Sequence, residues 1–493
     1  MLAPANRRQT VAETQSGRAH ADLICDGPRE IGITRMNESA TGDKLQQIIV
    51  SWVQKNIGPV VRVERQGRWR PAWFVDAVKD GRTLPLYLRG DRGGRGWPHM
   101  PLSYENKVFK IFEAGGVRVP HIYGYIDEIP AIVMDAAPGR VNLRTADNES
   151  DRNAVRSQLI DQMILIHSID PELLRAAGAP YMKSAHDRAL VYYRGGEEIY
   201  LSHKRRPAPT IEFIRGWIDR NMPDFPEQPK VVTVDSGQFM FERDRLTAML
   251  DFEFAGLGDP HVDLASLRAR TRAEYLGDID ELYRWYAERT GEKVDINRIR
   301  FHSVAFGTLS SLQMLHEIAE PKPGHEIHVY MIWDVLQLKD SLDNIFEING
   351  WAPETFVPPE SGPGSRYANL MVSLQQWLAP DGVADETARY ARLKQWRVLR
   401  FLRRADAYQP QFEDEYLSDI AAVTGRRPAN WASGDEQLEA FVRKAGASED
   451  EPLLRLFMRQ LLRRAFLLSD PDDTDSYETL TTSMQPIADT EGK

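Results

Sequence analysis

The chain is nearly without cysteine. Cys25 is the only one among 493 residues, so no internal disulfide and no cysteine-based zinc cluster can form. A reducing cytosol suits such a chain, and any metal chemistry must use oxygen ligands. Long apolar runs are missing as well. Nothing approaches the roughly 18 to 20 residues that a membrane-spanning helix needs, and the opening 35 residues lack the apolar core of a signal peptide, about 7 to 15 residues long. Excess positive charge is also absent. A net charge of −10 repels a phosphate backbone, which argues against general nucleic-acid binding but leaves room for a local basic patch on a small anion.

What remains is an ordinary globular composition. With 42% hydrophobic residues, 11 Trp and 17 Tyr, the chain has enough apolar surface for more than one core, and its length suggests roughly two to four domains. Residues 1–38 mix Arg, Gly, Pro and small polar side chains and are expected to be disordered, with Met36 as an alternative translation start to Met1. From 39 to 135 the pattern is that of a small sheet lobe. Ile48, Ile49, Trp52 and Val53 fall at helical spacing after possible caps at Ser39 and Thr41. "VVRVER" (60–65), "AWFVDAVK" (72–79) and "LPLYLR" (84–89) then read as an antiparallel meander. Tyr104, Val108, Ile111 and Phe112 make one helical stripe ended by Gly115-Gly116, and "AIVMD" (131–135) is a further buried strand.

From 136 to 349 the pattern is mainly helical, with "LIDQMILIHSID" (159–170) as a buried helix and a hairpin pairing 239–241 with 246–250. A Pro/Gly stretch at 350–365 reads as a linker. Residues 366–470 read as a further helical domain, and 471–493 as an acidic disordered tail. There is no internal repeat.

Two stretches carry chemistry. "MLDFEFAGLGDPHVDLA" (249–265) places Asp251 at a strand end, ahead of a Gly-Asp-Pro turn and a helix start. "VVTVDSGQFMF" (231–241) precedes it, with Gln238 thirteen positions before Asp251. With the order of elements, these resemble the aminoglycoside phosphotransferase and choline kinase-like superfamily over roughly residues 40–345. The resemblance implies an α+β, two-lobed protein-kinase-like fold, with an antiparallel-sheet N-lobe, a mainly helical C-lobe and the extra helical segment appended. It also implies ATP and Mg²⁺ as cofactors and transfer of the γ-phosphate to a hydroxyl of a small-molecule acceptor, without a nucleic-acid or membrane partner.

On that resemblance the family pattern His-Gly-Asp, four residues, Asn is shortened here. Asp235 takes the catalytic position, Gln238 that of the Asn, and Thr233 that of the His. Gln carries the same amide oxygen on a stem one methylene longer, so Gln238 and Asp251 become the metal ligands that phosphoryl transfer requires. Arg89 stands where relatives place a phosphate-binding Lys, with Glu105 as its anchor. The turn "QGRWRP" offers Gly67 with Arg68 or Arg70 to a triphosphate, and Met134 and Ala136 would present the adenine edge through backbone groups. Asp263 is placed to cap a helix, a structural reading that outweighs the alternative of a metal ligand, and His167 is placed to pack and hydrogen-bond. The "RGDRGGRGW" loop (89–97) suits an anion or is merely solvated. The altered loop leaves a second reading open: a catalytically impaired pseudokinase acting as a nucleotide-binding or interaction module. Acceptor charge, whether cationic or anionic, and oligomeric state are not legible.

Overall fold

The computed structural model describes residues 38–67, 70–91, 100–272, 274–322, 325–362, 364–469, 480 and 482–488. Arg68, the arginine loop from 92 to 99, Met36 and the segment before it lie outside the described residues.

Helix α1 (Glu38–Asn56) opens the described chain. Ser39 and Thr41 fall within it, so neither is the cap expected, because the helical pattern extends past the first apolar residue. Five strands follow as an antiparallel sheet: β1 (Val60–Arg65), β2 (Ala72–Lys79), β3 (Arg82–Gly90), β4 (Ile122–Ile126) and β5 (Ala131–Asp135), in the order β1-β2-β3-β5-β4. β4 was not expected from the sequence. Its "IYGYI" run is interrupted by Gly124, and that glycine is required because a Cβ there would stand 2.6 Å from the indole of Trp52 on α1. Between β3 and β4 lies α2 (Leu102–Ala114), which buries Tyr104, Glu105, Val108 and Phe112 and ends at Gly115-Gly116, with Gly116 at φ +81°.

The second lobe is mainly helical: α3 (Glu149–His167), α4 (Pro171–Ala177), α5 (Ala185–Ala189), α6 (Val191–His203), α7 (Pro209–Arg220), α8 (His261–Arg270), α9 (Ile279–Thr290), α10 (Ile296–Ala319) and α11 (Ile327–Asn349). Four short strands interrupt it. β6 (Lys230–Val232) pairs with β9 (Gly256–Gly258), and β7 (Phe239–Glu242) pairs with β8 (Arg245–Met249) as the expected hairpin. The fold is thus the α+β, two-lobed arrangement that the motif order implied. The lobes are joined after β5, where Arg140 and Phe241 exchange backbone hydrogen bonds of 2.9 Å.

Helices α12 (Ala368–Trp377), α13 (Glu386–Thr424), α14 (Trp431–Val442) and α15 (Asp450–Leu468) complete the chain. They share a core with the helical lobe: one buried cluster includes Phe213, Ile214 and Trp217 of α7, Leu342 and Phe346 of α11, and Leu453, Phe457 and Leu461 of α15. The Pro/Gly stretch also packs, with the Phe356 ring 5.4 Å from Phe466. Part of the acidic tail is ordered, contrary to expectation. Leu480, Met484 and Ile487 are buried, because the polar sequence still carries apolar residues that reach the helical lobe.

No helix among the described residues is long and apolar enough to cross a membrane. The shared core yields a prediction. Phe457 is fully buried and its ring lies 5.3 Å from Phe213, so Phe457→Ala should destabilise the whole helical lobe by about 3–5 kcal/mol. Urea unfolding followed at α7, through Trp217 fluorescence, should show it; a loss confined to the C-terminal helices would contradict the shared core.

Candidate active site

The site is assembled where β3, α2, the loop after β6 and the end of β8 meet. Arg89, near the end of β3, is the junction. Its Nε donates to Glu105 of α2 at 3.1 Å, and its terminal nitrogen donates to Asp251 and, at 3.4 Å, to Glu253. Glu105 is fixed from both sides, since its second oxygen accepts the Phe252 N–H at 3.2 Å. Arg70 adds a second guanidinium, bonded to Glu253 at 2.5 Å. All five side chains are buried. A buried charge survives only where partners compensate its lost hydration, and three carboxylates around two guanidiniums meet that requirement. The pairing of Arg89 with Glu105 and the meeting of Arg89 with Asp251 are as the sequence suggested; Glu253 was not singled out, although it stands only two residues from Asp251.

Asp251 sits at φ +60°, a conformation unusual for any residue with a side chain, at the point where β8 ends. Gln238 connects it to Asp235. The Gln238 side-chain nitrogen donates to Asp235 at 2.8 Å, and its backbone carbonyl accepts the N–H of Leu250, which precedes Asp251. Asp235 and Gln238 are thus bonded directly, and Gln238 is tied to the backbone of the residue that precedes Asp251. With its amide nitrogen on Asp235, the oxygen of Gln238 is the end that could serve a hard cation.

The loop carrying Asp235 is held by Asp263. This carboxylate is fully buried and accepts from the backbone N–H of Thr233 (2.9 Å) and of Val234 (2.7 Å), from the Thr233 hydroxyl (3.0 Å) and from His167 Nε2 (3.0 Å). Asp263 thus clamps the loop instead of capping α8, a correction to the sequence reading: the helix begins at His261, so Asp263 lies within its first turn and faces the loop. His167 has the structural role expected, with its other nitrogen 2.8 Å from the Tyr286 hydroxyl.

The clamp supports an unfavourable turn. Asp235 N–H bonds back to the Thr233 carbonyl at 2.8 Å across Val234, which adopts φ +66°. This is the strained form of the γ-turn, and a β-branched residue is among the worst to occupy it. The family pattern has Gly at this place. Beyond the turn, Arg270 at the end of α8 grips the loop from the other side. It donates to Asp235 (2.7 Å), to the Ser236 carbonyl (2.6 Å) and to Glu274 (3.0 Å). Burial pushes the Glu274 carboxyl above its ordinary value against the lowering influence of Arg270.

Other expected positions fare differently. Gly67 lies in the β1–β2 turn, and a Cβ there would stand 2.8 Å from the side chain of Glu386, so the turn abuts the start of α13. Arg68 lies outside the described residues. Met134 is paired on both sides within the sheet, with Tyr87 and Ile122, and the Ala136 N–H donates to the Pro85 carbonyl at 3.0 Å. The sheet therefore occupies one of the Ala136 backbone groups, its N–H, because the β3–β5 ladder continues one residue beyond the strand. Behind the site, burial alone would raise the Asp259 carboxyl, but hydrogen bonds from His261 and His302 hold it well below its ordinary value. Among the described residues no group of three or more His, Cys, Asp and Glu side chains is arranged to hold a metal by itself.

Residues 64–294 match the model of the phosphotransferase enzyme family, so this segment shows the resemblance that its motifs implied. Solved structures similar to the chain include a putative aminoglycoside phosphotransferase from Ralstonia eutropha, at 16% identity and a TM-score of 0.45, covering 60% of this chain and 95% of that one. Aminoglycoside phosphotransferase APH(4)-Ia in a ternary complex with ADP and hygromycin B matches at 14% identity and a TM-score of 0.44, covering 60% and 97%. Choline kinase LicA from Streptococcus pneumoniae matches at 15% identity and a TM-score of 0.45, covering 61% and 99%. No curated protein matches the sequence.

Two predictions follow from the loop and its surroundings. Val234→Gly removes a buried side chain but relieves backbone strain of about 1–3 kcal/mol, whereas Val232→Gly in β6 removes a side chain equally buried without such relief. Urea titrations should find the first substitution less costly than the second by about that difference; equal losses would show the turn to be unstrained. A carboxyl with a depressed folded-state pKa stabilises the fold above its unfolded value, about 3.9 for Asp, and that contribution disappears as pH falls below it. Asp259→Asn should lower stability at pH 7 and flatten the acid limb below about pH 4 in thermal melts recorded across pH.

Proposed function

We propose that the protein is a phosphotransferase that uses ATP and Mg²⁺ to phosphorylate a hydroxyl of a small-molecule acceptor. The observation that carries this reading is the Arg89 junction: one buried guanidinium held by Glu105 and facing Asp251, in a segment that matches the phosphotransferase family model. Mg²⁺, when bound, would neutralise phosphate charge. Asp251 and the Gln238 amide oxygen would hold it. Arg89 would bind phosphate oxygens while Glu105 keeps its side chain in place, and the fork suits that task because its donors are planar and permanently charged. Backbone donors near Gly67 would cover the phosphates. The adenine edge would fall to the carbonyl side of Ala136 and the residues that follow it.

Asp235 would orient the acceptor hydroxyl and receive its proton. The Arg270 and Gln238 bonds to its two oxygens hold the carboxylate aimed, which favours a role in orienting the hydroxyl. That same saturation supports the second reading, a pseudokinase that binds nucleotide without transfer. Neither reading involves a nucleic-acid partner or a membrane partner, and a reducing cytosol suits both.

The two readings separate on one experiment. The wild type, Asp235→Asn and Asp251→Asn are incubated with Mg-ATP and a panel of small alcohols, with phosphoryl transfer and thermal stabilisation both recorded. The first reading expects turnover in the wild type, a loss of about 10²–10⁴ in kcat for Asp235→Asn with little change in KM for ATP, and loss of both transfer and Mg²⁺-dependent stabilisation for Asp251→Asn. Stabilisation by nucleotide with no transfer to any acceptor would leave the second reading standing, and absence of any nucleotide effect would remove both.

A further inference from the structure

We infer that Gln485, in the C-terminal tail, is a positioning residue for the proposed catalytic loop, acting through the connection between α8 and α9. The inference rests on the phosphotransferase reading for its catalytic consequence, but its structural content stands on contacts alone. Gln485 bonds to both ends of that connection. Its backbone carbonyl accepts from Arg268 Nε at 2.7 Å and its N–H donates to the Thr271 hydroxyl at 3.3 Å, both at the close of α8. Its side-chain nitrogen donates to the Gly277 carbonyl at 2.8 Å and its side-chain oxygen accepts the Ile279 N–H at 3.2 Å, both at the start of α9.

One residue thus staples the span 271–278 shut. Glu274 lies in that span, and it holds one arm of Arg270, whose other nitrogens hold Asp235 and the Ser236 carbonyl. Loosening the span frees Glu274, which frees Arg270, which in turn frees Asp235. Flanking contacts keep the tail in register. Lys339 donates to the Ser483 hydroxyl at 2.9 Å, Arg300 to the Ile487 carbonyl at 3.1 Å, and Met484 and Ile487 are buried on either side of Gln485. The tail lies nearly two hundred positions beyond the residues that match the family model, so this support belongs to the chain's own C-terminal addition. It also fits the shortened catalytic loop: with fewer residues to brace itself, the loop depends more on outside holds such as Arg270.

The test compares wild type with Gln485→Ala, which keeps the backbone contacts, and with Ser483→Ala, which removes the tail's hydrogen bond to Lys339 of α11 and none of the bonds that Gln485 makes. Amide hydrogen exchange is read at Val234, Asp235 and Ser236, each of which is hydrogen-bonded in the loop. Gln485→Ala should raise exchange about tenfold, the effect of losing one or two hydrogen bonds, both at 271–279 and at 234–236, with strand β3 unchanged. Ser483→Ala should leave 234–236 as in the wild type. In the transfer assay kcat should fall by a similar factor with KM for ATP unchanged. A rise confined to 271–279, a rise of equal size with Ser483→Ala, or no rise at all would overturn the inference. If the wild type transfers no phosphate, the exchange result still decides the positioning role, and only the phosphotransferase reading fails.

Discussion

A single carboxylate, Asp263, determines whether the rest of the site can exist. Buried without any exposure, it receives two backbone N–H groups, a hydroxyl and an imidazole. Four donors around one carboxylate compensate the desolvation of the charge, and each donor would in turn be costly if left unpaired, at about 1–3 kcal/mol apiece. The interaction therefore locks three elements to one another: α3 through His167, α8 through Asp263 itself, and the loop after β6 through Thr233 and Val234. The strained turn at Val234 is tolerable because of this lock. Strain of about 1–3 kcal/mol is smaller than the cost of breaking the clamp that enforces it, so the loop has no cheaper conformation to relax into.

The Arg89 junction solves a different problem. Here two guanidiniums and three carboxylates lie out of water, and removing one member of such a buried pair typically costs about 3–5 kcal/mol because its partner is left uncompensated. On the proposed reading the same sensitivity would make the group responsive to a ligand. A polyanion bound with a divalent cation would give Arg89 and Asp251 new partners of the right sign, so the charges need not be left bare when their present contacts loosen. An apolar core of similar volume would be more stable and could do none of this. On the proposed reading the arrangement would be a receptive site held ready, whereas as pure scaffolding it would be an inefficient use of buried charge.

The sheet lobe was legible because its strands alternate and its turns carry Gly, Pro and Asp, and the hairpin at 239–249 for the same reason. β4 was not, since Gly124 and its short run give no pattern; the reason for that glycine is the indole of Trp52, remote in sequence. Arg89, Glu105 and Asp251 were named on the family resemblance, and the structure brings them together, while Gln238 bonds to Asp235. Arg270, Glu253 and Gln485 went unseen because nothing local distinguishes an arginine that ends a helix, or a glutamine in an acidic tail, from solvated neighbours. Asp263 was assigned to the wrong partner: a position beside a helix start looks like a cap, and only the fold shows that its oxygens face the loop across from it. The Ala136 N–H is taken by the Pro85 carbonyl for a related reason, since strand ends extend by a residue when a neighbour supplies a carbonyl.

The C-terminal addition changes how the helical lobe should be regarded. Its last helix contributes Phe457 and Leu461 to the core that also holds Trp217 and Phe346, so the lobe as the family model delimits it would expose an apolar face if it stood alone. Covering that face with helices and then returning the tail to α8 and α9 gives the addition two physical tasks, burial and bracing. The first is generic, since any apolar surface of suitable shape could fill it. The second is specific, since only a residue with a donor and an acceptor at the spacing of Gln485 can join Gly277 to Ile279 while its backbone holds Arg268 and Thr271. A tail of strongly acidic composition retains ordered contacts because a few apolar side chains anchor it and because its polar groups meet arginines and amides already at fixed positions, so that little additional ordering is needed when they bind.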